Sequence, residues 1–432
     1  MSNKKLKVLL IVEQCNPEWA SVPLEGYNYF RGIHNLVEAT LVTHIRNKPA
    51  LEKHPEYEKI FYIEERKLTQ KYYNLVEKFT ANGRVNWPLY NALSYPIYEE
   101  FNQQVYQKFQ GKILNGDYDI VHAITPIMPR YPFKVVTVCH QTPFILGPVN
   151  GGIPFPAGFQ ETARQEFAQF NFLRAVGRAL IPGYVETYKK ADKVLAGSTY
   201  TLNLLKKLFA IPDTRIELFY ENGIAQEFLM SVKPAKEEGS KINLLFVGRL
   251  VPYKCADVVI ESIGKLDQAM QSKIRLTIVG DGSERNNLEN RVKELNLAEI
   301  VSFAGWVNQS ETLDYYRKAD IFCFPSVREF GGAVVIEAMA CGLPCIVANN
   351  GGIGEYVNEE TGFKIEPISR EYLTQELTSK IKMLVEDDKL RESMSAKAIE
   401  RAREFEWENK AIKIFEIYEK TLGEKGVSAS AE

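Results

Sequence analysis

Short runs of consecutive apolar residues alternate with longer stretches of helical periodicity along the whole chain. Runs without polar interruption suit strands covered on both faces. Their alternation with helices predicts α/β layering around parallel sheets. In the first half the runs predict strands at Lys7–Val12, Ala39–Thr43, Ile60–Ile63, Ile120–Ile124, Val135–Cys139 and Lys193–Ala196. In the second half they predict Asn243–Val247, Arg275–Val279, Ile300–Ala304, Ile321–Phe324 and Pro344–Val347. The stretch SVKPAKEEGSK at Ser231–Lys241 is charged, holds Pro and Gly and has no apolar pattern, so it reads as a linker. A chain of 432 residues exceeds one core. Two domains are therefore expected, 1–230 and 231–407.

Beyond Trp407 the sequence WENKAIKIFEIYEKTL carries an apolar stripe that must pack on something. It can stay with its own domain or return, over about 408–425, to the first; the return is the expected arrangement. The tail GEKGVSASAE after Leu422 reads as disordered. The segment FNFLRAVGRALIPGY is read as a packed helix ending at Pro182, with a membrane-surface helix as the alternative.

Composition adds limits. The chain is 45% hydrophobic and 25% charged with net charge −2, which gives no electrostatic case for nucleic acid. Six cysteines without CxxC spacing sit mostly in apolar runs, which favours free buried thiols and a cytoplasmic setting. No apolar stretch reaches the roughly 18 residues of a membrane span. The opening MSNKKLKVLLIVEQ reads as a first strand rather than a signal peptide.

Candidate chemistry concentrates in SVREFGGAVVIEAMACGLP, Ser326–Pro344. Glu329 and Glu337 stand eight positions apart, separated by Phe330, Gly331 and Gly332 and a helix start near Ala333. A helix N-terminus offers unpaired N–H groups to a phosphate, and the glycines allow close approach. The two carboxylates suit sugar and ribose hydroxyls. Gly248 ends a strand, and Arg249 and Lys254 follow as cations suited to a diphosphate at the carboxyl edge of the sheet. Gly280 and Gly282, and then Trp306 and Val307, close the next two strands and can bring backbone close to a base.

In the first half, His140 is expected at the end of a strand, facing the site, whereas His122 within IVHAIT reads as structural. The loop Gly147–Gly152, with Asn150, Gly151 and Gly152, can face an acceptor but lacks the lysine-serine of a Walker loop. The loop after the first strand offers Trp19, Ser21, Glu25 and Gly26. Asp117-Tyr118-Asp119 precedes a strand and reads as a turn, so no metal site is expected.

Taken in order, FVGRLVPYK, LTIVGDGSE, VSFAGWV and SVREFGGAVVIEAMACGLPCIV resemble the C-terminal half of a family-4 retaining glycosyltransferase, a group 1 enzyme of the GT-B fold. ADKVLAGS, ENGI and the closing FEW extend the likeness from Ala191 to Trp407. The resemblance implies two Rossmann-like domains with parallel sheets facing a central cleft. It also implies a UDP- or GDP-linked sugar donor, no cofactor, and hexosyl transfer to a glycan, lipid-linked or small-molecule acceptor without a metal. Arg249 and Lys254 would neutralise the leaving diphosphate, Glu329 would bind the donor sugar, and Phe330–Ala333 would give backbone contacts. Glu337 would hold the ribose, and His140 would match the first-domain histidine near the reacting sugar. Cys255 stands where the family has glycine, and Gly26 is an imperfect counterpart of a paired-glycine loop. Two alternatives remain at this point: a sugar-nucleotide epimerase of similar fold, and a non-catalytic sugar-nucleotide-binding protein. Peripheral contact with the inner membrane face is a further expectation.

Overall fold

A computed structural model describes residues 5–80, 86–230 and 239–429. The residues fall into two compact units, one formed by 1–152, 167–221 and 407–432, the other by 153–166 and 222–406. Most of the expected linker, 231–238, lies outside the described residues. Segment 153–166, which the sequence places in the first domain, packs with the second unit.

The first unit holds strands β1 (Lys7–Val12), β2 (Glu38–His44), β3 (Ile60–Ile63), β4 (Ile120–Thr125), β5 (Phe144–Val149), β6 (Lys193–Ala196) and β7 (Ile216–Leu218). They form one sheet in the order β3-β2-β1-β4-β5-β6-β7, with every pair parallel. The second unit holds β8 (Ile242–Val247), β9 (Ile274–Val279), β10 (Val301–Gly305), β11 (Ile321–Phe324), β12 (Cys345–Ala348) and β13 (Gly362–Ile365). Its order is β10-β9-β8-β11-β12-β13, again all parallel. The direction of winding reverses between β1 and β4 in one sheet and between β8 and β11 in the other. Such switch points open crevices at the carboxyl ends of the strands, where ligands bind in open α/β sheets.

One strand differs from expectation. KVVTV is a 3-10 turn at Lys134–Val138, and the fifth strand is FILGPV. Pro148 removes a ladder donor and the register slips between Leu146 and Val149, a break that makes the run read as a loop. The short edge strands β7 and β13 are also absent from the sequence reading.

The last helix, Trp407–Ala429, belongs to the first unit, where Trp407, Ile414, Ile417 and Tyr418 join a core with Val8, Leu10, Tyr29 and Phe30. It continues through much of the tail expected to be disordered, to Ala429. His122 is buried between Gly147 O and the Tyr418 hydroxyl, each at 2.7 Å, a structural role as expected. The helix Leu173–Leu180 stops before Pro182 and packs a half-buried face, Leu173 and Gly177, against the helix Trp87–Leu93, while Phe172, Val176 and Leu180 are exposed and none of its residues is fully buried.

Candidate functional site

The switch point of the second sheet gathers most of the residues singled out in that half. Gly248 and Arg249 leave β8, Gly280 and Gly282 follow β9, Trp306 and Val307 follow β10, and Ser326–Gly332 follow β11. The first two loops are packed backbone on backbone. Leu250 N donates to Asp281 O at 2.9 Å, and a side-chain carbon on Gly280 (φ +129°) would overlap the carbonyl of Gly248. That close packing is why glycine stands there. Trp306 follows the outermost strand of the sheet and is 72% exposed, with Val307 half-buried beside it.

Arg249 is exposed and its Nη2 donates to the Tyr253 hydroxyl at 2.8 Å, which aims the guanidinium. Lys254 is nearly buried, forms an ion pair with Glu329 Oε2, and lies 4.9 Å from the centre of the Phe324 ring. The sequence presents Lys254 and Glu329 as separate contributions; the fold joins them. Their side chains retain only 11% and 12% exposure, so each charge depends on the other.

Glu329 is fixed from behind. Its carbonyl and that of Phe330 accept from Gly352 N at 3.2 and 3.0 Å, and a bridge pairs it with Gly351. Phe330 lies 5.2 Å from the Arg328 guanidinium, and Arg328 Nε donates to Ile153 O at 3.0 Å. Burial holds the Arg328 guanidinium below its ordinary range. Gly331 is buried, and Gly332 caps the helix Ala333–Ala340 with φ +78°. A side chain at Gly332 would strike Ile353, so only glycine turns the chain into this helix without strain. Glu337, 6% exposed, lies in its second turn, and its Oε2 accepts from the Tyr316 hydroxyl at 2.8 Å. Tyr253, Tyr316 and Arg328 support this edge and were not singled out from the sequence, where nothing distinguishes them from packing residues.

The first-half candidates fare differently. His140 is exposed in the bend before β5, at the amino edge of that sheet. A parallel sheet presents its ligand crevice at the other edge, so His140 does not take the position expected of it. Asn150 is buried, and its Oδ1 accepts from Ser198 and Thr201 hydroxyls at 2.9 and 2.7 Å. Gly151 N donates to Thr201 at 3.1 Å, and Gly152 follows, packed on Leu204. These contacts tie the loop to the helix Thr199–Phe209 and account for its polar residues structurally. Gly26 is buried in the helix Val22–His34 against the backbone of Gln14, after β1. Asp119 accepts from Lys7 N at 2.7 Å, the role of a turn residue. Among the described residues no group of three or more His, Cys, Asp or Glu is placed to hold a metal, and all six cysteines are free and buried.

Residues 230–401 match the family described as Glycosyl transferases group 1. A D-inositol 3-phosphate glycosyltransferase of Kineococcus radiotolerans is 28% identical over 202 residues, 44% of this chain and 46% of its own length. An uncharacterized glycosyltransferase of Methanocaldococcus jannaschii is 29% identical over 229 residues, 53% of this chain and 60% of its own. The chain spans about half the length of the curated relatives it matches. Among solved structures, Anabaena HepE in complex with UDP superposes with a TM-score of 0.64 at 16% identity, over 96% of this chain and 100% of that one. The fold is GT-B, and residues 230–401 are similar to the group 1 glycosyltransferase family.

Proposed function

We propose that this protein is a retaining glycosyltransferase of family 4 that moves a hexosyl group from a nucleotide-diphosphate sugar to an acceptor. The observation that carries the reading is the assembly, at one switch point, of an aimed Arg249, the Lys254–Glu329 pair and the glycine-opened helix start at Ala333. Two cations and a helix N-terminus converge on an edge where a diphosphate would acquire negative charge as the glycosidic bond breaks. Electrostatic stabilisation of that charge is the main catalytic term in this reading.

Lys254 has a double task. It neutralises Glu329, and it can share its charge with a phosphate oxygen of the donor. Glu329 then presents its carboxylate to the donor sugar's hydroxyls, and Glu337, held by Tyr316, presents its own to the ribose. Neither carboxylate is assigned as a covalent nucleophile, so retention follows from same-face displacement, the departing phosphate taking the acceptor's proton. The cations supply the neutralisation that a metal provides elsewhere, and the reaction is read as metal-independent.

HepE binds UDP, which makes UDP the first nucleotide to test, with GDP second. The acceptor is a glycan, a lipid-linked molecule or a small molecule, bound by the first unit, and the setting is cytoplasmic. No described helix is long and apolar enough to cross a membrane. The exposed Phe172, Val176 and Leu180, with Arg174 and Arg178 on the same helix, support peripheral contact with an anionic bilayer. A thermal-shift panel of UDP, GDP and their sugars tests the reading, because a ligand bound only by the folded state raises the midpoint. A midpoint unmoved by every nucleotide would overturn it.

A further inference from the structure

The switch point of the first sheet holds a cation with neither a hydrogen-bond nor an ion-pair partner among the described residues. Arg130 follows β4, five residues beyond Thr125, while Glu13 and Gln14 follow β1, the strand beside it. Two of the three guanidinium nitrogens of Arg130, Nε and Nη1, are shut off from water and meet no hydrogen-bond partner. Among the described residues Arg130 forms no ion pair; its nearest aromatic face, the Tyr131 ring, is centred 5.3 Å away. A buried polar group left unpaired is costly, and a charged one more so, so these two nitrogens call for an explanation. The neighbouring Arg46, by contrast, is ion-paired with Glu65 and lies 4.2 Å from the centre of the Tyr73 ring.

The backbone carrying Arg130 is pinned on both sides. Ile127 O accepts from Asn150 N at 2.9 Å, Pro129 O accepts from the Tyr184 hydroxyl, and Pro132 O accepts from the Tyr98 hydroxyl at 2.8 Å. Tyr131 donates to Asn91 O at 2.6 Å, and Phe133 N to Thr187 Oγ1 at 2.9 Å. Such a loop holds the guanidinium ready without folding it onto a protein carboxylate. Burial also pushes the Glu13 carboxyl up, against the pull of Arg46 and Arg130.

We propose that the first unit recognises its acceptor through a phosphate group seated on Arg130 at this switch point. A guanidinium offers five N–H donors in a planar fork that matches phosphate oxygens. The inference rests on the glycosyltransferase reading for the word acceptor, but the site itself stands on the first unit alone. A soluble metabolite and a lipid headgroup can each carry that phosphate, and both present the same oxygens to Arg130.

The test separates the two phosphate sites and the two sources. In an Arg249→Ala background, which removes the exposed donor cation and leaves Lys254 paired with Glu329, millimolar inorganic phosphate and glycerol 3-phosphate should raise the thermal midpoint. Adding Arg130→Met should weaken that response by at least about tenfold in concentration, the scale of losing a hydrogen-bonded charge partner. Arg130→Lys should recover part of it. Without phosphate, Arg130→Met should melt no lower than its parent, because it removes an unpaired buried charge; a purely structural arginine would melt lower. Flotation with phosphatidylcholine vesicles, with and without phosphatidic acid, reads the lipid source. Binding that needs phosphatidic acid and Arg130 assigns the lipid, whereas a response to glycerol 3-phosphate alone assigns the soluble form. The proposal fails if phosphate shifts both backgrounds equally or shifts neither. A UDP shift retained by Arg130→Met shows that such a failure leaves the donor reading intact.

Discussion

The hydroxyl of Tyr316 donates to Oε2 of Glu337 at 2.8 Å, and both residues are buried. The bond fixes the carboxylate that is proposed to hold the ribose. Tyr316→Phe should therefore raise the donor's dissociation constant by about tenfold, the worth of one hydrogen bond to a charged group. The turnover number should change much less, because the ribose is remote from the breaking bond. Steady-state kinetics against donor concentration separates the two effects.

Arg249 and Lys254 should part company on stability. Arg249 is exposed and makes one side-chain bond, so Arg249→Ala should melt within about a degree or two of the parent while transfer falls by about a hundredfold or more. Lys254→Ala strands the nearly buried Glu329 carboxylate and should cost about 2 kcal/mol or more of stability as well as activity. Adding Glu329→Gln to Lys254→Ala should restore much of the stability and none of the activity. Denaturant melts paired with a transfer assay read both columns.

Acid should weaken the first unit through two histidines. Burial lowers His44 and His122 from 6.5 to about 4. Between those values the unfolded chain binds protons that the folded chain refuses, so stability falls as pH drops from 6.5 towards 4. His122→Gln should flatten the dependence of thermal midpoint on pH in that window. Glu25 works the other way: burial raises it from 4.5 to about 7, so its removal should steepen the fall.

The helix Leu173–Leu180 offers a direct test of membrane contact. Val176→Glu and Leu180→Glu alter exposed positions and should leave the melting temperature unchanged. They should abolish sedimentation with anionic vesicles if the helix is what rests on the bilayer.

Chelation gives the remaining test. If Arg249 and Lys254 supply the neutralising charge, transfer should proceed at full rate in excess EDTA, measured with a purified donor and acceptor.

Nearly all of the second unit was legible because its strands are uninterrupted apolar runs and its loops carry glycine at strand ends. What the sequence did not reveal there is pairing. Lys254 and Glu329 are 75 positions apart, and only the adjacency of β8 and β11 brings their loops together. Cys255 shows the physical reason for its glycine alternative: it sits at φ +55°, where a side chain is strained. The first unit was harder. The Gly147-Pro148 break concealed β5, and that error carried His140 to the wrong edge of the sheet. Arg130 gave no signal at all, since a single arginine in a proline-rich loop is ordinary until its surroundings are known.

The final helix has a consequence for how the protein is made. Trp407, Ile414, Ile417 and Tyr418 complete a core whose other members, such as Leu10 and Phe30, leave the ribosome nearly four hundred residues earlier. The unit whose strands are translated first must therefore wait for residues 407–418, while the second unit can close as it emerges. During that interval part of the apolar face of the first sheet lacks its covering helix, and such transiently exposed surface is what holding chaperones bind.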